Sequence, residues 1–334
     1  MKYLITSDWH IGSNANSLSF FEYQLKVFNY IIDIYKDYKC DKLIIAGDFF
    51  DKRKNIDINI FTLLKDNFLD VNSDVNFIIS AGNHDCYFRN TNDVNSLSLL
   101  KKYKNIKIVD DMPYKDNNML IIPWVCDYNR DKINKIIDED VSKYLICHID
   151  INGAKFSKNI ISQCEDTINR KKLLKYKKVF SGHYHIRSEK DNIMYVGTPH
   201  QLTWIDEGVE KYIYILDDIS GELTEIVVPF EMFKQIEIKE DDWKNYCNGS
   251  LKNKKVRIIY EDTFDTKLFN DIQTQFIQIN PDIQFIRKST PKPKEVEIKL
   301  DESKNLLDSI LDYVKNIQPE NQDKVESLIK KVYN

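Results

Sequence analysis

Short apolar runs alternate with amphipathic segments along the first two thirds of the chain. Apolar runs typical of β-strands lie at 3–6, 42–46, 76–80, 106–109, 119–123, 144–147, 179–181, 193–197, 212–216 and 224–228. Helical spacing of apolar residues occurs between the earlier runs, at 20–38, 57–70, 94–103, 129–139 and 167–175. This alternation predicts an α/β fold in which the early strands are mostly parallel and the later, closely spaced strands are antiparallel.

The pattern changes after Pro229. Residues 230–290 combine strand patterns with one helical pattern near 265–278, and they are expected to form a small α+β unit. Two prolines interrupt the following stretch, which predicts a linker over 291–300. Two short amphipathic helical patterns then predict a helical hairpin over 301–334. The expected organisation is a main domain over 1–229, the small unit, the linker and the hairpin.

Composition restricts the class of protein. The chain of 334 residues is 42% hydrophobic and 30% charged, which is typical of a globular protein. The sequence has no uncharged apolar run long enough to predict a membrane span, and the N-terminus lacks the pattern of a secretory signal. The six cysteines lack C-x-x-C spacing, which indicates reduced thiols and a cytoplasmic setting. A net charge of −4 gives no support for nucleic-acid binding.

Polar residues with metal-binding chemistry follow five of the predicted strands. Ligands bind beyond the carboxyl ends of strands in open α/β sheets, so these residues should meet at one edge. Carboxylate, amide and imidazole ligands suit Mn²⁺, Fe²⁺ or Zn²⁺, and the lack of a thiolate argues against a structural zinc site. The candidate ligands are Asp8, His10, Asp48, Asn83, His148, His183 and His185.

The size of this set predicts two metal ions. One ion needs fewer ligands, and Asp48, alone at its strand end, is the natural bridge. Two such ions can clamp the attacking and leaving oxygens of a phosphoryl-type displacement. The D-x-H and H-x-H spacings would direct both side chains of each pair to one side of an extended segment. A single histidine at a strand end is usually a hydrogen-bonded core or surface residue, and a single G-D or G-N-H-D is a turn, so the prediction depends on the combination.

The order of these motifs resembles the calcineurin-like metallophosphoesterase superfamily: D-x-H, G-D, G-N-H-D, His, and G-H-x-H. Within it, the chain looks most like the SbcD/Mre-eleven DNA-repair nucleases, especially the phage form of that subunit. The supporting segments are SDWHIG, GDFFDKRK, GNHD, IPW, SGHYH and GTP. The resemblance implies a sandwich of two mixed β-sheets flanked by helices. It also implies that 230–290 is a DNA-binding capping domain and that 301–334 docks an ABC-type coiled-coil ATPase of the SbcC/Rad-fifty kind.

The resemblance implies a role for each site residue. One metal ion, expected to be Mn²⁺, would bind Asp8, His10, Asp48 and His185, and a second would bind Asp48, Asn83, His148 and His183. His84 would contact the scissile phosphate and assist the leaving oxygen, and Asp85 would orient His84. A water that bridges the metals would be the nucleophile.

The implied activity is that of a Mn²⁺-dependent DNA nuclease subunit. It would act as a 3′-to-5′ exonuclease on duplex ends and as an endonuclease on single strands, in recombination, repair or replication. Members of the family are homodimers, for which the helices at 57–70 and 94–103 are candidates. The phage-type resemblance also suggests a phage- or virus-encoded protein that acts in the host cell.

Some positions depart from the family pattern or have no implied role. Asp51 stands where some members carry a second catalytic histidine. A structural or surface role is favoured for His200 over a place in the cleft. Lys52, Arg53 and Arg89 follow the ligand motifs and are candidates for contacts with phosphate, although a solvated loop explains them equally well.

Two other functions stay open at this point. The same metal cluster serves protein phosphatases, cyclic-nucleotide phosphodiesterases and nucleotidases, although GDFFDKR and GNHD lack the Gly and Glu of typical phosphatase motifs. A scaffold subunit with a vestigial nuclease site is the third hypothesis, and the complete ligand set argues against it.

Overall fold

The structure is a computed structural model that describes residues 1–155, 160–261 and 264–288, together with Val325. The predicted linker over 291–300 and, apart from Val325, the predicted hairpin over 301–334 lie outside the described residues. The strands are β1 (Lys2–Thr6), β2 (Lys42–Ala46), β3 (Phe77–Ser80), β4 (Ile106–Val109), β5 (Tyr114–Asp116), β6 (Met119–Ile121), β7 (Tyr144–His148), β8 (Lys178–Gly182), β9 (Ser188–Lys190), β10 (Ile193–Tyr195), β11 (Lys211–Asp217), β12 (Leu223–Val228), β13 (Phe233–Glu237), β14 (Lys255–Glu261) and β15 (Gln284–Lys288).

The helices are α1 (Ser13–Asn16), α2 (Leu18–Asp37), α3 (Ile58–Leu64), α4 (Arg130–Glu139), α5 (Arg170–Leu173) and α6 (Thr266–Ile279). A π-helical turn over Lys65–Leu69 continues α3. Single 3₁₀ turns lie at Ser96–Leu100, Trp204–Asp206, Trp243–Asn245 and Gly249–Leu251. Among the described residues, no helix has both the length and the apolar character needed to cross a membrane.

Two six-stranded mixed sheets carry most of these strands. The first has the order β12-β11-β1-β2-β3-β4, in which β1 to β4 run parallel and β11 pairs with β1 in the antiparallel sense. The second has the order β5-β6-β7-β8-β10-β9, with β6, β7, β8 and β10 parallel. The predicted α/β sandwich of two mixed sheets is therefore confirmed.

The core lies in three layers that follow from strand alternation. Residues on one face of each sheet, such as Tyr3, Ile44 and Phe180, form an apolar layer between the sheets. The opposite face of the first sheet packs on α2 and α3, where Phe28 is fully buried. The opposite face of the second sheet packs on α4 and α5. Because both faces of both sheets are covered, the central strands read as continuous apolar runs, as in KLIIA and YLIC.

A smaller three-stranded sheet, β13-β14-β15, packs with α6 on its own apolar cluster. Val256, Ile258, Ile272 and Phe276 are fully buried there. Asp265 caps α6, since its carboxylate accepts hydrogen bonds from the backbone at the helix start. Residues 1–260 and 264–286 group together as one compact unit, so the expected domain boundary at 229/230 stays a prediction.

Some predicted elements differ from the structure. The run at 193–197 was expected to be antiparallel to its neighbours, but β10 pairs in parallel with β8 and in antiparallel only with β9. A tight turn at Asp191, which has a left-handed φ of 57°, folds β10 back beside β9. The helical patterns at 94–103 and 167–175 shorten to a 3₁₀ turn and to the single turn of α5.

The aromatic stack behind the first sheet should contribute strongly to the stability of the fold. Phe28 stacks on Trp9 at a centroid distance of 4.0 Å. We expect Phe28→Ala to lower the free energy of unfolding by about 3–5 kcal/mol, because it leaves a cavity in a close-packed layer. Urea unfolding monitored by circular dichroism measures this. Val141→Ala is the control, because Val141 is 86% exposed, and its free energy of unfolding should change by no more than about 0.5 kcal/mol. A loss below about 1 kcal/mol for Phe28→Ala would contradict the packing of this layer.

Candidate metal centre

The seven candidate ligands meet where the carboxyl ends of strands from both sheets converge. Asp8 and His10 follow β1, Asp48 follows β2, and Asn83 follows β3. The second sheet contributes His148, the last residue of β7, while His183 and His185 follow β8. Asp8, His10, Asp48 and His148 are buried, and the others are partly exposed. The expected convergence at one edge is thus observed, with both sheets taking part.

The ligand segments turn sharply at the strand ends. Asp8, His10, Asp48 and His183 have left-handed φ angles of 54°, 45°, 52° and 90°. The sequence-based expectation of extended D-x-H and H-x-H segments is therefore wrong, although the side chains do converge. Left-handed backbone costs energy in residues other than glycine, and it concentrates at functional sites. Each of these turns directs a candidate ligand toward the others, and this convergence offsets the conformational strain.

Glycines allow the ligand loops to approach one another. A Cβ atom on Gly82 would collide with the backbone and carboxylate of Asp48. A Cβ atom on Gly47 would collide with the imidazole of His148, and the φ of Gly47 is 93°. Close packing around the ligands thus requires both glycines, and the left-handed φ of Gly47 is a second reason at that position.

One ligand group centres on Asn83. The Nδ1 of His148 lies 2.9 Å from the carbonyl oxygen of Ala46, so this nitrogen carries the proton and donates. The other nitrogen, Nε2, faces Asn83 Oδ1 at 3.0 Å and Asp48 Oδ2 at 3.3 Å. The Nδ1 of His183 faces the same Asn83 oxygen at 2.9 Å. Four acceptor atoms therefore point at one another.

A second group lies on the other side of Asp48. The Nε2 atoms of His10 and His185 are 3.1 Å apart. His10 Nε2 also lies 4.0 Å from Asp8 Oδ1 and 3.7 Å from Asp48 Oδ2. Asp8, His10 and His185 can present one atom each within 4.8 Å of one another, as can Asp48, His148 and His183. Asp48 lies between the two groups.

This donor set fits a pair of divalent cations. Converging lone pairs of imidazole, carboxylate and amide groups are unfavourable unless a cation lies between them, and these ligand types suit Mn²⁺, Fe²⁺ or Zn²⁺. Asp8, His10 and His185 would hold one ion and Asn83, His148 and His183 the other, with Asp48 shared. That division matches the one implied by the family resemblance, and it remains a proposal.

The electrostatics of the centre favour a cation. Burial alone would raise the pKa of Asp48, but the charges of His148 and His10, with a hydrogen bond from His148, hold this pKa far below its usual range. Burial opposes protonation of His148, yet the charge and hydrogen bond of Asp48 raise the His148 pKa to about 10. Burial, then the neighbouring His10 and Lys211, lowers the pKa of His185 well below normal. A proton on His148 and a metal ion are alternative occupants of the same negative site.

His84 lies beside the ligands with its ring fixed. Its backbone N–H donates to Asp48 Oδ1 at 2.7 Å, and its Nδ1 faces the carbonyl oxygen of Asp51 at 2.5 Å. The expected contact from Asp85 to His84 is replaced by that carbonyl. Asp85 instead accepts backbone N–H groups from Gly82 at 2.9 Å and Phe50 at 2.9 Å. It therefore joins two ligand loops, and burial followed by the charge of Asp48 raises its pKa to about 7.

The three basic candidates differ in their surroundings. Lys52 and Arg89 are exposed. Arg53 is partly buried, with its guanidinium 5.5 Å from the ring centre of Trp124, and it donates to the carbonyl oxygen of Cys86 at 3.2 Å. Arg53 thus braces the loop that follows the G-N-H-D motif, whereas Lys52 and Arg89 face solvent.

Several supporting residues were not foreseen from the sequence. Asp150 accepts from the Nε2 of His183 at 2.8 Å, an arrangement that commonly fixes metal-binding histidines. In α2, the amide of Gln24 donates to the carbonyl oxygen of Trp9 at 2.9 Å and lies 3.0 Å from His200 Nε2. His200 is fully buried. Asp150 follows a ligand by two residues and could have been suspected, but nothing in the helix pattern singles out Gln24.

The comparison with known families identifies the family to which the chain belongs. The model of the calcineurin-like phosphoesterase family matches residues 1–206, which include every candidate ligand. The chain belongs to the calcineurin-like phosphoesterase family. It is therefore a metal-dependent phosphoesterase, and the resemblance noted from the motifs is confirmed.

The chain is also similar to individual proteins of known sequence or structure. Exonuclease subunit 1 of Enterobacteria phage T4 is 32% identical over 233 residues, which cover 68% of this chain and 67% of that protein. The SbcD subunit of the nuclease SbcCD of Staphylococcus saprophyticus is 21% identical over 283 residues, covering 76% and 75%. A solved nuclease of Pseudomonas putida aligns with a TM-score of 0.32 and 16% identity, over 67% of this chain and 87% of that one.

The geometry around Asn83 predicts a selective metal-binding defect. Asn83→Ala removes the oxygen shared by His148 and His183, so we expect one of two Mn²⁺ binding events to weaken by at least about tenfold. Isothermal titration calorimetry with Mn²⁺ measures both events. Asn90→Ala, an exposed asparagine of the same loop, is the matched control. Two unchanged binding events in Asn83→Ala would remove Asn83 from the ligand set.

Proposed function

We propose that the protein is a Mn²⁺-dependent DNA nuclease subunit that hydrolyses phosphodiester bonds with two metal ions. The observation that carries this proposal is the pair of ligand groups that share Asp48. The similarity of the chain to a phage exonuclease subunit and to an SbcD nuclease subunit supports DNA as the substrate. The proposed activities are 3′-to-5′ exonuclease on duplex ends and endonuclease on single strands, in DNA recombination, repair or replication.

The ligand residues prepare the centre for phosphoryl chemistry. When bound, the two ions would supply the Lewis acidity and positive charge that a phosphoryl displacement requires. Asp150 keeps the proton of His183 on Nε2, so that Nδ1 is left as the ligand atom. Ala46 does the same for His148 by accepting from its Nδ1. Each imidazole is thus held in the tautomer that can bind a cation.

His84 is the proposed group that contacts the leaving oxygen. Because its Nδ1 donates to the Asp51 carbonyl, only Nε2 remains for substrate. The ring also lines the cleft beside the metal centre. A protonated Nε2 can donate to the developing oxyanion, as a general acid or as an electrostatic stabiliser. In this scheme Asp85 does not contact His84 and positions it only through the loops that Asp85 joins.

The proposal includes partners. Both relatives are described as subunits, which supports a complex with an ABC-type coiled-coil ATPase. We propose that 230–290 caps the nuclease centre and that the hairpin over 301–334, outside the described residues, docks the ATPase. A homodimer through 57–70 and 94–103 is consistent with exposed apolar side chains at Ile58 (82%), Val94 (51%) and Leu99 (45%). Lys52 and Arg89 are proposed phosphate contacts.

The role of His84 has a direct test. We expect His84→Ala to reduce hydrolysis of linear duplex DNA in Mn²⁺ by about 10²–10⁴-fold, the usual contribution of a proton donor, while both metal ions stay bound. A fluorescent exonuclease assay and calorimetric metal titration measure the two properties. Asn90→Ala serves again as the control in the same loop. Full activity of His84→Ala would exclude the proposed role, and Mg²⁺ supporting faster hydrolysis than Mn²⁺ would change the proposed ion.

Removal of the C-terminal segment tests the partner. A chain that ends at residue 300 should keep Mn²⁺-dependent nuclease activity within about twofold, because every proposed ligand lies before residue 206. It should no longer co-purify with a co-expressed coiled-coil ATPase of the SbcC kind. Size-exclusion chromatography of the co-expressed pair measures this, and a stable complex with the shortened chain would refute the docking role.

A further inference from the structure

A cleft of about 440 Å³ opens beside the metal centre and extends beyond the ligand set. One wall belongs to the centre and includes His10, His84 and His185. The rest of the lining includes Trp204, Phe233 and Lys255, which are called the second wall below. The volume lies within the range of sites that hold small organic groups. A substrate that fills this cleft and reaches His84 would therefore also contact the second wall.

The second wall combines flat aromatic surface with positive charge. The rings of Trp204 and Phe233 are 5.1 Å apart, and the guanidinium of Arg257 lies 3.8 Å from the ring centre of Trp204. Lys255 and Arg257 are two residues apart in β14, so they share one face of the strand, while Val256 and Ile258 point into the small core. The alternation of β14 thus places Lys255 in the lining of the cleft and Arg257 on the same strand face, against the ring of Trp204.

The wall is tied to the loop that carries His10. The ammonium of Lys255 donates to Asn14 Oδ1 at 2.8 Å, and the amide of Asn14 donates to the carbonyl oxygen of Leu202 at 2.9 Å. Gln201 accepts the backbone N–H of Phe233 at 2.8 Å. These contacts hold the aromatic and basic groups at a fixed position relative to the metal ligands, as a preformed site requires.

We propose that this cleft binds the nucleotide next to the scissile phosphate. Its base or sugar would lie against Trp204, and a neighbouring backbone phosphate would be held by Lys255 and Arg257. Aromatic and guanidinium planes that stack on bases, combined with lysine or arginine contacts to phosphate, are the general means of holding single-stranded nucleic acid. The inference rests on the proposed nuclease function and deepens it, since it names residues that select nucleic acid over other phosphoesters.

The chemistry of the wall disfavours a substrate without a planar group. A phosphate alone needs only the metal ions and His84, and an aromatic wall would then have no ligand to contact. A phosphodiester in a polynucleotide brings a base, a sugar and further phosphates. Each of these has a counterpart in Trp204, Lys255 and Arg257.

The test compares two substrates in the full-length protein with Mn²⁺. One is a single-stranded DNA oligonucleotide, and the other is glycerophosphoglycerol, a small phosphodiester that has no planar ring and no neighbouring phosphate. The variants are Trp204→Ala, Lys255→Gln and Arg257→Gln. Lys252→Gln is the matched control, because Lys252 is an exposed lysine of the same small unit that does not line the cleft.

We expect kcat/KM for the oligonucleotide to fall about tenfold more than kcat/KM for the small diester in each cleft variant, since base stacking and phosphate contacts are lost only with the oligonucleotide. Lys252→Gln should change neither value. Urea midpoints check that each variant is folded, and if Trp204→Ala is not, the two charge variants decide. Equal losses on both substrates, or none, would overturn the inference. A wild-type protein that hydrolyses the small diester but no oligonucleotide would instead overturn the proposed nuclease function.

Discussion

The carboxylate of Asp48 is buried in the middle of the metal centre, where an uncompensated charge would cost several kcal/mol. Its compensation comes from distant parts of the chain. The backbone N–H of His84 donates to one oxygen at 2.7 Å, and the imidazole of His148, from the other sheet, lies 3.3 Å from the second oxygen. The two sheets must therefore meet with their carboxyl ends together. The convergence of the candidate ligands depends on that meeting.

The loops around Asp48 are held by few but specific contacts. Asp85 accepts backbone N–H groups from Phe50 and Gly82, which joins the loops after β2 and β3. The Ala46 carbonyl accepts from His148 and so connects β2 to β7 across the sandwich. Such irregular backbone would leave buried polar groups without partners unless side chains took their place. Side chains near the centre thus support the backbone as well as the metal ligands.

Local patterns in the sequence predicted the α/β fold and the converging ligands, whereas the sandwich of two mixed sheets was implied only by the family resemblance. Runs such as IKIV at 106–109 coincide with strand β4, and polar residues directly after such runs mark the sheet edge. The edge strand β9 (Ser188–Lys190) has no apolar run and could not be recognised. Gln24 and Asp150 act through contacts that the order of residues does not encode. The left-handed turns at Asp8 and His183 could not be predicted from the sequence either, because tertiary packing imposes them.

A chain with a net charge of −4 can bind the proposed polyanionic substrate if its cations are placed locally. Lys211 shows how the fold supports that placement: it is buried, paired with Asp206 at 2.6 Å, and donates to the carbonyl oxygen of His185 at 3.1 Å. Asp206 also ends the short turn that carries Trp204. One buried ion pair therefore fixes His185, a proposed metal ligand, on one side and the aromatic wall of the cleft on the other. Replacing such a pair by a single uncompensated charge is costly, so the geometry of the centre and that of the cleft are maintained together.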